Sequence, residues 1–222
     1  MKKIISAFAV FAMLGTTAAV AADVMTPVPA FDWSGGYVGL EGGYAFGSAA
    51  HTFSNGAPGG DSQPQGLMGG GFIGYNLQRE NFLLGIEADA LISGVSGKYN
   101  NTSGITSSGS ASLKNQEDIR LRLGLPHGRL LPFVAGGIAF GNASFGGGPA
   151  GGPCCGYDAG LVGFTLGAGV EYAISDHLVT RLDYRYTNFG TASSVLAPTF
   201  TTVTMPVALQ THTIMLGLSY KF

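Results

Sequence analysis

The sequence is poor in charged residues, which make up 11% of its 222 positions. Ordinary soluble domains carry about 25%, and a soluble domain of this size needs a more charged surface to stay dispersed. Basic residues are not in excess either, since 11 Lys and Arg stand against 13 Asp and Glu, a formal net charge of -2. The composition therefore disfavours both a soluble domain and a nucleic-acid partner.

Long apolar runs are also missing. No segment after the amino terminus approaches the ~18 consecutive apolar residues of a membrane-spanning helix, although hydrophobic residues make up 45% of the chain. The apolar residues are spread at every second position, which indicates many surfaces that each face an apolar environment. The 37 glycines and nine tyrosines fit strands and turns better than helices.

The first 21 residues have the pattern of a secretory signal peptide. Lys2 and Lys3 form a basic start, Ile4–Leu14 is apolar, and Ala19–Ala21 is a small-residue cleavage site. The apolar stretch is shorter than the ~17–25 residues of a spanning helix. We therefore predict a signal peptide at 1–21, cleaved after Ala21, a short periplasmic segment at 22–35 and one domain at 36–222.

Eight segments of alternating apolar and polar character follow. Each has at least 11 residues, which is enough for a tilted strand, since such a strand crosses a bilayer with about 9–11 residues. Their bounds are Gly36–Gly47, Leu67–Leu77, Phe82–Ile92, Asn115–Leu125, Leu130–Phe140, Val162–Ile174, Leu178–Phe189 and Leu209–Phe222.

The connections between these segments alternate between short and long. The short polar turns are Gln78–Asn81, Pro126–Arg129 and Ser175–His177, and the long Gly- and Ser-rich stretches are Ser48–Gly66, Ser93–Lys114, Gly141–Leu161 and Gly190–Ala208. Outer-membrane barrels have short periplasmic turns, long extracellular loops and an even number of strands. Since backbone groups in lipid must pair internally, a spanning sheet has to close. We predict an all-β fold, an eight-stranded antiparallel transmembrane β-barrel.

Alternation also assigns the faces of the strands. A charged side chain facing lipid near the midplane costs about 2–4 kcal/mol for Arg or Lys, so charged residues of the strands are expected to face the lumen. This lumen charge network comprises Glu41, Glu87, Asp89, Asp118, Arg120, Arg122, Glu171, Arg181, Asp183, Arg185 and Lys221. An eight-stranded barrel is only just wide enough for its side chains, so we expect a polar plug; a charge-lined pore is the alternative.

Aromatic residues are expected at the two ends of the strands as interfacial girdles. The periplasmic girdle would comprise Trp33, Tyr37, Phe82, Tyr172, Tyr220 and Phe222, and the outer one Tyr44, Phe46, Phe140 and Phe189. The second strand, Leu67–Leu77, is too rich in glycine for its faces to be assigned.

Several segments resemble the small outer-membrane surface-antigen family of Gram-negative bacteria, which is similar in build to OmpA and OmpX barrels. They are "FDWSGGYVGLEGGYAFG" at 31–47, "GGGFIGYNLQ" at 69–78, "LPFVAGGIAFG" at 131–141, "LDYRYTNFG" at 182–190 and the final "MLGLSYKF". The resemblance implies an abundant envelope protein with roles in membrane integrity and surface contact, no catalytic residues and no cofactor. Some relatives look like porins and others are described as hemin-binding, so a small diffusion porin or hemin-uptake protein is the alternative function.

The carboxy-terminal strand resembles the signal by which the barrel assembly machinery recognises its substrates, with Phe222, Tyr220 and Leu218 as its apolar row. The resemblance also implies lipopolysaccharide and outer-membrane lipid as surroundings, and host or environmental ligands for the loops. Phe222 ends the sequence, so no peptidoglycan-binding domain of the OmpA kind is expected after the barrel.

Cysteine and histidine offer weak candidates for chemistry. Cys154 and Cys155 are adjacent, and export permits oxidation, so a disulfide between them, pairing with another chain and two free thiols are all open. His51, with a loop methionine such as Met205, could hold hemin or a metal, but the Cys and His spacing of zinc sites is missing. An enzyme would need a nucleophile and a base held together at one rim, and the spacing places no such pair. No metal site is predicted.

Overall fold

The computed structural model describes residues 31–51, 60–101, 107–149, 155–192, 195–196, 203–204 and 206–222. These residues form twelve strands. Their bounds are β1 Gly35–His51, β2 Gly60–Ser62, β3 Gln65–Arg79, β4 Phe82–Ser93, β5 Ser96–Asn101, β6 Ser107–Gly124, β7 Leu130–Pro149, β8 Cys155–Ala173, β9 Leu178–Ala192, β10 Val195–Leu196, β11 Val203–Thr204 and β12 Val207–Lys221. Over these ranges, no helix has the length and hydropathy to cross a bilayer.

Eight long strands form a closed antiparallel barrel, as predicted. Around the barrel they are β1, β3, β4, β6, β7, β8, β9 and β12, each paired with the next. The last closes on the first, with a β1–β12 register that runs from Tyr37 opposite Lys221 to His51 opposite Val207. Closure leaves no unpaired sheet edge around the middle of the barrel, which is the condition for a sheet in lipid.

Short turns gather at one end of the barrel, which we call the short-turn end. Glu80 and Asn81 connect β3 to β4, and the positive φ of Glu80, 47°, fits this tight reversal. Residues 125–129 connect β6 to β7, with Gly128 at φ 59°, and residues 174–177 connect β8 to β9. The opposite end, where the long connections lie, we call the loop end.

At the loop end the strands are longer than the sequence pattern predicts. β6 begins at Ser107 instead of Asn115, β7 continues to Pro149 instead of Phe140, and β8 begins at Cys155 instead of Val162. Much of the predicted Gly- and Ser-rich loop is therefore paired strand, with Gly147 opposite Cys155. Backbone pairing needs no particular side chain, so composition alone could not separate these extensions from loop.

Two register shifts mark the loop half of the barrel. One lies between Leu113 and Asn115 of β6, and the other opposite Ala208 and Gln210 of β12, where β9 carries Gly190 at φ 64°. An extra residue in one strand of a pair inverts the alternation of its side chains beyond that point. In β6 both Leu113 and Gln116 therefore face the lumen, on either side of the shift.

The outward face of the middle of the barrel is apolar. Leu40, Ile92 and Leu121 are 72%, 78% and 68% exposed, and they alternate along their strands with buried residues. In β3, where the sequence left the faces open, Leu67, Ile73, Tyr75 and Leu77 point outward, while Met68, Phe72 and Asn76 are buried. An apolar band of this kind is suited to lipid, and the packed core lies inside the barrel.

Candidate functional site

The interior of the barrel is the candidate site, and it is built in three layers. Nearest the short-turn end is an apolar cap, in the middle a charged layer, and toward the loop end a second apolar layer. Inward-facing residues of all eight barrel strands contribute to these layers, because every second residue of a barrel strand points inward.

Glu87 of β4 is the centre of one half of the charged layer. Its Oε1 accepts from Arg120 Nη2 at 2.6 Å, and its Oε2 accepts from Arg122 Nη1 at 3.2 Å. Arg181 donates to both carboxylate oxygens, at 3.1 Å for Nη1 to Oε1. The Tyr37 hydroxyl also donates to Oε2, at 2.8 Å. Three guanidinium groups thus converge on one carboxylate, and each comes from a different strand or strand position.

Arg185 of β9 is the centre of the other half. Its Nη1 lies 2.7 Å from Asp118 Oδ2 and 3.2 Å from Asp89 Oδ1, while its Nη2 lies 3.1 Å from Glu41 Oε1. Asp183 Oδ2 is 3.2 Å from the same Nη2. One arginine therefore holds four carboxylates in place across the lumen.

Arg120 joins the two halves, because it contacts Glu87 on one side and Asp183 on the other, at 2.8 Å. Glu171 completes the layer by bridging Arg122 Nη2 at 2.7 Å and Arg181 Nη2 at 2.8 Å. Guanidinium faces lie over aromatic rings as well, with Arg181 4.1 Å from the Phe72 centroid. The result is one connected network.

Ten of the eleven predicted network residues lie in this layer, and all ten are at most 6% exposed. They are six carboxylates and four guanidinium groups, a formal charge of 4 − 6 = −2. Burying an unpaired charge is costly, and burial is tolerated when pairing and hydrogen bonds are nearly complete. Pairing in this layer is extensive but not complete. Among the described residues of the layer, the buried atoms without a hydrogen-bond partner are Glu41 Oε2, Asp89 Oδ2, Asp183 Oδ1 and the Nε atoms of Arg120, Arg122 and Arg185.

Lys221 was expected in the network but lies outside it. Its register partner is Tyr37, whereas Glu41 lies opposite Gly217, so Lys221 sits four residues nearer the short-turn end. None of the ion pairs found among the described residues includes it, and its ammonium lies 5.6 Å from the Phe31 ring centroid. The alternating pattern predicts the inward face for Lys221, but it does not give the position of this residue along the barrel axis.

The apolar cap closes the short-turn end beneath the charged layer. Trp33 is 2% exposed and packs with Leu83, Leu131, Ala173 and Val179. Its indole Nε1 donates to the carbonyl of Gly128 at 3.0 Å, and its backbone N–H donates to Gln78 Oε1 at 2.9 Å. The girdle prediction for Trp33 is wrong, because the segment before β1 folds into the mouth of the barrel.

Tyr37 was also assigned to that girdle, and it is buried in the charged layer instead, at 5% exposure. Its hydroxyl accepts from Arg122 at 2.5 Å and donates to Glu87. The remaining short-turn girdle residues do face outward: Phe82, Tyr172, Tyr220 and Phe222 are 43–73% exposed. A tyrosine side chain is amphipathic. It can lie at the membrane interface, or it can lie in the lumen with its hydroxyl bonded to a charged group, and the alternating pattern does not distinguish the two positions.

The second apolar layer fills the lumen toward the loop end. This loop-end layer comprises Ala45, Ala49, Met68, Leu91, Val95, Ala111, Leu113, Ala139, Ala143, Phe145, Leu161, Phe189, Val207, Leu209 and Met215, all buried. A polar plug was predicted for the lumen, and Phe189 was predicted to lie in the outer girdle. Phe189 is 3% exposed and faces inward, so that prediction is wrong.

His51 ends β1 inside the loop end rather than on an open loop. It is 3% exposed, its Nε2 lies 3.0 Å from Ser62 Oγ, and its ring centroid is 4.9 Å from that of Tyr99. The hemin alternative needs an accessible imidazole, and this one is enclosed. Met205, Cys154 and the side chain of Cys155 lie outside the described residues. Across the described ranges, no group of three or more His, Cys, Asp and Glu side chains could hold a metal ion.

His212 faces outward and lies within a group of aromatic rings. Its ring stacks on Phe46 at 5.5 Å, and its Nδ1 lies 2.7 Å from the Tyr184 hydroxyl. His127 and His177 lie in the connections at the short-turn end. None of these three imidazoles is paired with a serine and an acid.

Phe222, Tyr220 and Leu218 form an exposed row on the last strand, at 73%, 48% and 50% exposure. The Tyr220 and Phe222 rings are 5.3 Å apart, edge to face, and the Phe222 N–H donates to the Gly36 carbonyl at 2.9 Å. The row is thus anchored to the first strand at the seam that closes the barrel.

This architecture is shared with known proteins. A model of the outer membrane protein beta-barrel domain matches residues 7–222. The chain belongs to this outer-membrane barrel family. The barrel protein is 33% identical to the 31 kDa outer-membrane immunogenic protein of Brucella melitensis over a 246-position alignment that covers all of both chains. It is 29% identical to the 25 kDa outer-membrane immunogenic protein of Brucella canis, covering 87% of this chain and 81% of the relative.

Solved structures show the same fold at low identity. The outer-membrane protein OprG of Pseudomonas aeruginosa is 14% identical with a TM-score of 0.54, covering 85% of this chain and 97% of OprG. The outer-membrane protease OmpT of Escherichia coli is 9% identical with a TM-score of 0.56, covering 89% and 100%. At these identities the likeness concerns the fold alone. The barrel protein is located in the outer membrane, with its apolar band in contact with lipid.

Proposed function

We propose that this protein is a sealed, non-enzymatic barrel that strengthens the outer membrane and presents its loop end as an interaction surface. The observation that carries the proposal is the three-layer lumen. Two buried apolar layers lie on either side of a charged layer whose members contact one another, and this filling of the lumen argues against an open path for ions and solutes. The short-turn end faces the periplasm and the loop end faces the exterior, the arrangement usual in outer-membrane barrels.

Planar-bilayer recording tests the sealed barrel against the diffusion-porin alternative. We expect the folded protein to insert without giving steady conductance steps, because the charged layer is held by bonds such as Arg120–Glu87 at 2.6 Å and is capped by Trp33. A general porin recorded in the same bilayers is the positive control. Steady, charge-selective steps from the wild-type protein would overturn the proposal.

We also propose that the barrel assembly machinery inserts this protein into the membrane and recognises the exposed row of Phe222, Tyr220 and Leu218 on β12. We expect Phe222→Asp to abolish most surface accumulation, because it places a charge in the exposed apolar row that Tyr220 and Leu218 complete. Fractionated outer membranes and heat-modifiable gel mobility measure the effect. The control is Asn142→Asp, which adds the same charge at an exposed position of β7 toward the loop end. Equal surface levels of the two variants would contradict the prediction.

Lipopolysaccharide and phospholipid are the proposed neighbours of the apolar band, and host or environmental molecules the proposed partners of the loop end. The structure offers the loop end for this role because the strands project there beyond the last apolar outward residues. Phe140 of β7 lies opposite Val162 of β8. Nearer the loop end, the same face carries the polar residues Asn142 and Ser144 of β7, and Asp158 of β8 lies opposite Ser144.

A further inference from the structure

A groove crosses the outward face of the barrel near the short-turn end. Its volume is about 570 Å³, within the range of about 300–1,000 Å³ that small-molecule sites occupy. Gly36 of β1 and Ala88 of β4 form its floor, and its walls are Phe222, Tyr75, Ile73 and Ile119. The groove therefore extends from the seam that closes the barrel to β6.

The sizes of the residues on neighbouring strands produce this groove. The Phe222 N–H donates to the Gly36 carbonyl, and Gly36 lies opposite Tyr75 of β3, so this glycine separates two aromatic residues. A Cβ added to Gly36 would lie 3.9 Å from a ring carbon of each. Ala88 likewise lies opposite Ile73 on one side and Ile119 on the other. Two small residues among large ones thus leave a depression in the outward surface.

The surface of the groove is apolar. Its walls are formed by exposed Ile, Tyr and Phe side chains, and Glu87, which precedes Ala88 in the sequence, points into the lumen instead. Because the apolar band contacts lipid in the outer membrane, hydrocarbon covers this groove. A single acyl chain is narrow and flexible enough to follow the depression, and by filling it the chain gains dispersion contacts that a void would forfeit.

Arg79 ends β3 on the same face as the groove. Side chains of a strand alternate, so Arg79 shares the outward row of Ile73 and Tyr75, whereas Gln78 turns inward and accepts from the Trp33 N–H. Arg79 lies beyond Tyr75, about 13 Å along the strand toward the short-turn end. Among the described outward residues of the barrel strands at this end, Arg79 alone is charged.

The Arg79 guanidinium has no anionic partner in the part of the chain that the structure describes. The ion pairs of exposed side chains there are Lys114–Asp158 and Arg129–Asp176, and no hydrogen bond involves this guanidinium. At a membrane interface, an arginine lays its stem along apolar surface and keeps its charged group at the polar boundary. A guanidinium matches a phosphate in shape and charge and binds it through two parallel hydrogen bonds. The groove and the cation thus fit the two parts of one amphipathic ligand.

We propose that the groove and Arg79 together bind one glycerophospholipid of the periplasmic leaflet, with an acyl chain in the groove and the phosphate on the guanidinium. The inference rests on the proposed function, which orients the short-turn end toward the periplasm. Phospholipid forms the leaflet on that side, whereas lipopolysaccharide lies in the outer leaflet, beside the loop end. The bound lipid covers the barrel surface at the seam, where Phe222 meets Gly36.

The test is native mass spectrometry of the folded protein, released from detergent micelles after it has been mixed with a defined lipid. Phosphatidylethanolamine is the probe, and diacylglycerol with the same acyl chains is the matched probe without the phosphate. We expect one phosphatidylethanolamine to bind saturably, and diacylglycerol to bind at least about tenfold more weakly, because it lacks the charge-assisted bond to Arg79. Equal affinity for the two lipids, or binding that does not saturate at one molecule, overturns the proposal.

Two kinds of variant separate the groove from the cation. Gly36→Leu fills the floor between the two rings, and its control is Gly42→Leu, which adds the same side chain at an outward position of β1 outside the groove. Arg79→Gln removes the charge, and its control is Arg129→Gln, which removes an exposed arginine from a turn at the same end. We expect each test variant to bind phosphatidylethanolamine about tenfold more weakly and each control to keep the wild-type affinity.

Heat-modifiable gel mobility shows which variants fold, and Ala88→Phe fills the floor from its other side if Gly36→Leu does not fold. Wild-type affinity in a folded groove variant, or in folded Arg79→Gln, overturns the proposal, and the comparison of the two lipids decides the matter if none of these variants folds.

The same spectra distinguish the other possible occupants of the groove. When purified lipopolysaccharide competes with phosphatidylethanolamine, we expect phosphatidylethanolamine to stay bound, and its displacement would overturn the choice of phospholipid. A lipid-free protein dimer that Gly36→Leu disperses would assign the groove to a second copy of the barrel instead. Lipid binding and bilayer conductance are separate readouts. A sealed barrel that binds no phospholipid refutes only this inference, and a conducting barrel that binds it refutes only the proposed function.

Discussion

Replacing Glu87 with leucine is expected to destabilise the barrel by about 3–5 kcal/mol, the usual loss when one partner of a buried ion pair is removed. Glu87 is 1% exposed and accepts hydrogen bonds from Arg120, Arg122 and Arg181 as well as from Tyr37. Leucine is similar in size but neutral, so three buried guanidinium groups lose their shared counter-charge while remaining enclosed.

The measurement is urea unfolding of the refolded protein in lipid vesicles, followed by fluorescence. The sequence has one tryptophan, Trp33, whose indole lies buried in the apolar cap and reports on the barrel interior directly. Lys114→Met is the matched control, because it removes a salt bridge whose side chains are 52% and 72% exposed. Exposed pairs contribute little, so its unfolding midpoint should stay at the wild-type value. A Glu87→Leu midpoint equal to that of the control would contradict this account of the charged layer.

The same network shows how far sequence reasoning reaches. Alternation placed Glu87, Arg120 and Arg185 on the inward face, because a charge on the lipid face is costly. It could not give the pairing, since Arg185 and Glu41 are 144 positions apart and meet only across the closed lumen. The position of Lys221 along the barrel axis could not be predicted either, because it depends on strand tilt and on the register between strands.

The loop-end apolar layer was missed for a different reason. Where both faces of a strand are apolar, alternation gives no signal for the inward one, and a residue such as Phe189 reads equally well as an interfacial ring. The register shift at Lys114 compounds the difficulty, since it turns Leu113 inward against the parity of Gln116 and Asp118. A bulge has no signature in the hydrophobic pattern until its partner strand is known.

The position of a glycine in a strand carries information that the glycine content of the chain does not. Gly43 faces the lumen beside Met215, and a Cβ added there would lie 1.9 Å from the Ile214 carbonyl oxygen. At Gly42, on the outward face, the nearest atom to such a Cβ is the Met68 carbonyl oxygen at 3.9 Å. These two consecutive glycines therefore differ in what the structure requires. At Gly43 the close approach of β1 to β12 leaves no room for a side chain, whereas the packing around Gly42 would admit one.

The expected result is that Gly43→Ala destabilises the barrel by about 1–3 kcal/mol, the usual range for a forced overpacking, while Gly42→Ala leaves it unchanged. The methyl group at 43 collides with backbone, so β1 and β12 must separate at the seam that closes the barrel, whereas the methyl at 42 enters an outward space. Both variants change the same residue type by the same group, so urea midpoints reported by Trp33 isolate the effect of position.

Gly136 and Gly137 in β7 repeat the comparison at a second place. A Cβ on Gly137 would lie 1.9 Å from the Ile119 carbonyl oxygen, while one on Gly136 would lie 3.1 Å from a Leu166 side-chain carbon that can move. Gly137→Ala should therefore lower the midpoint more than Gly136→Ala. Each inward glycine lets two neighbouring strands approach each other closely. A larger loss of stability at positions 43 and 137 would therefore show that the narrow lumen depends on this close approach of the strands as well as on the side chains that fill it. Equal midpoints within both glycine pairs would remove that link and leave the filling of the lumen to its side chains alone.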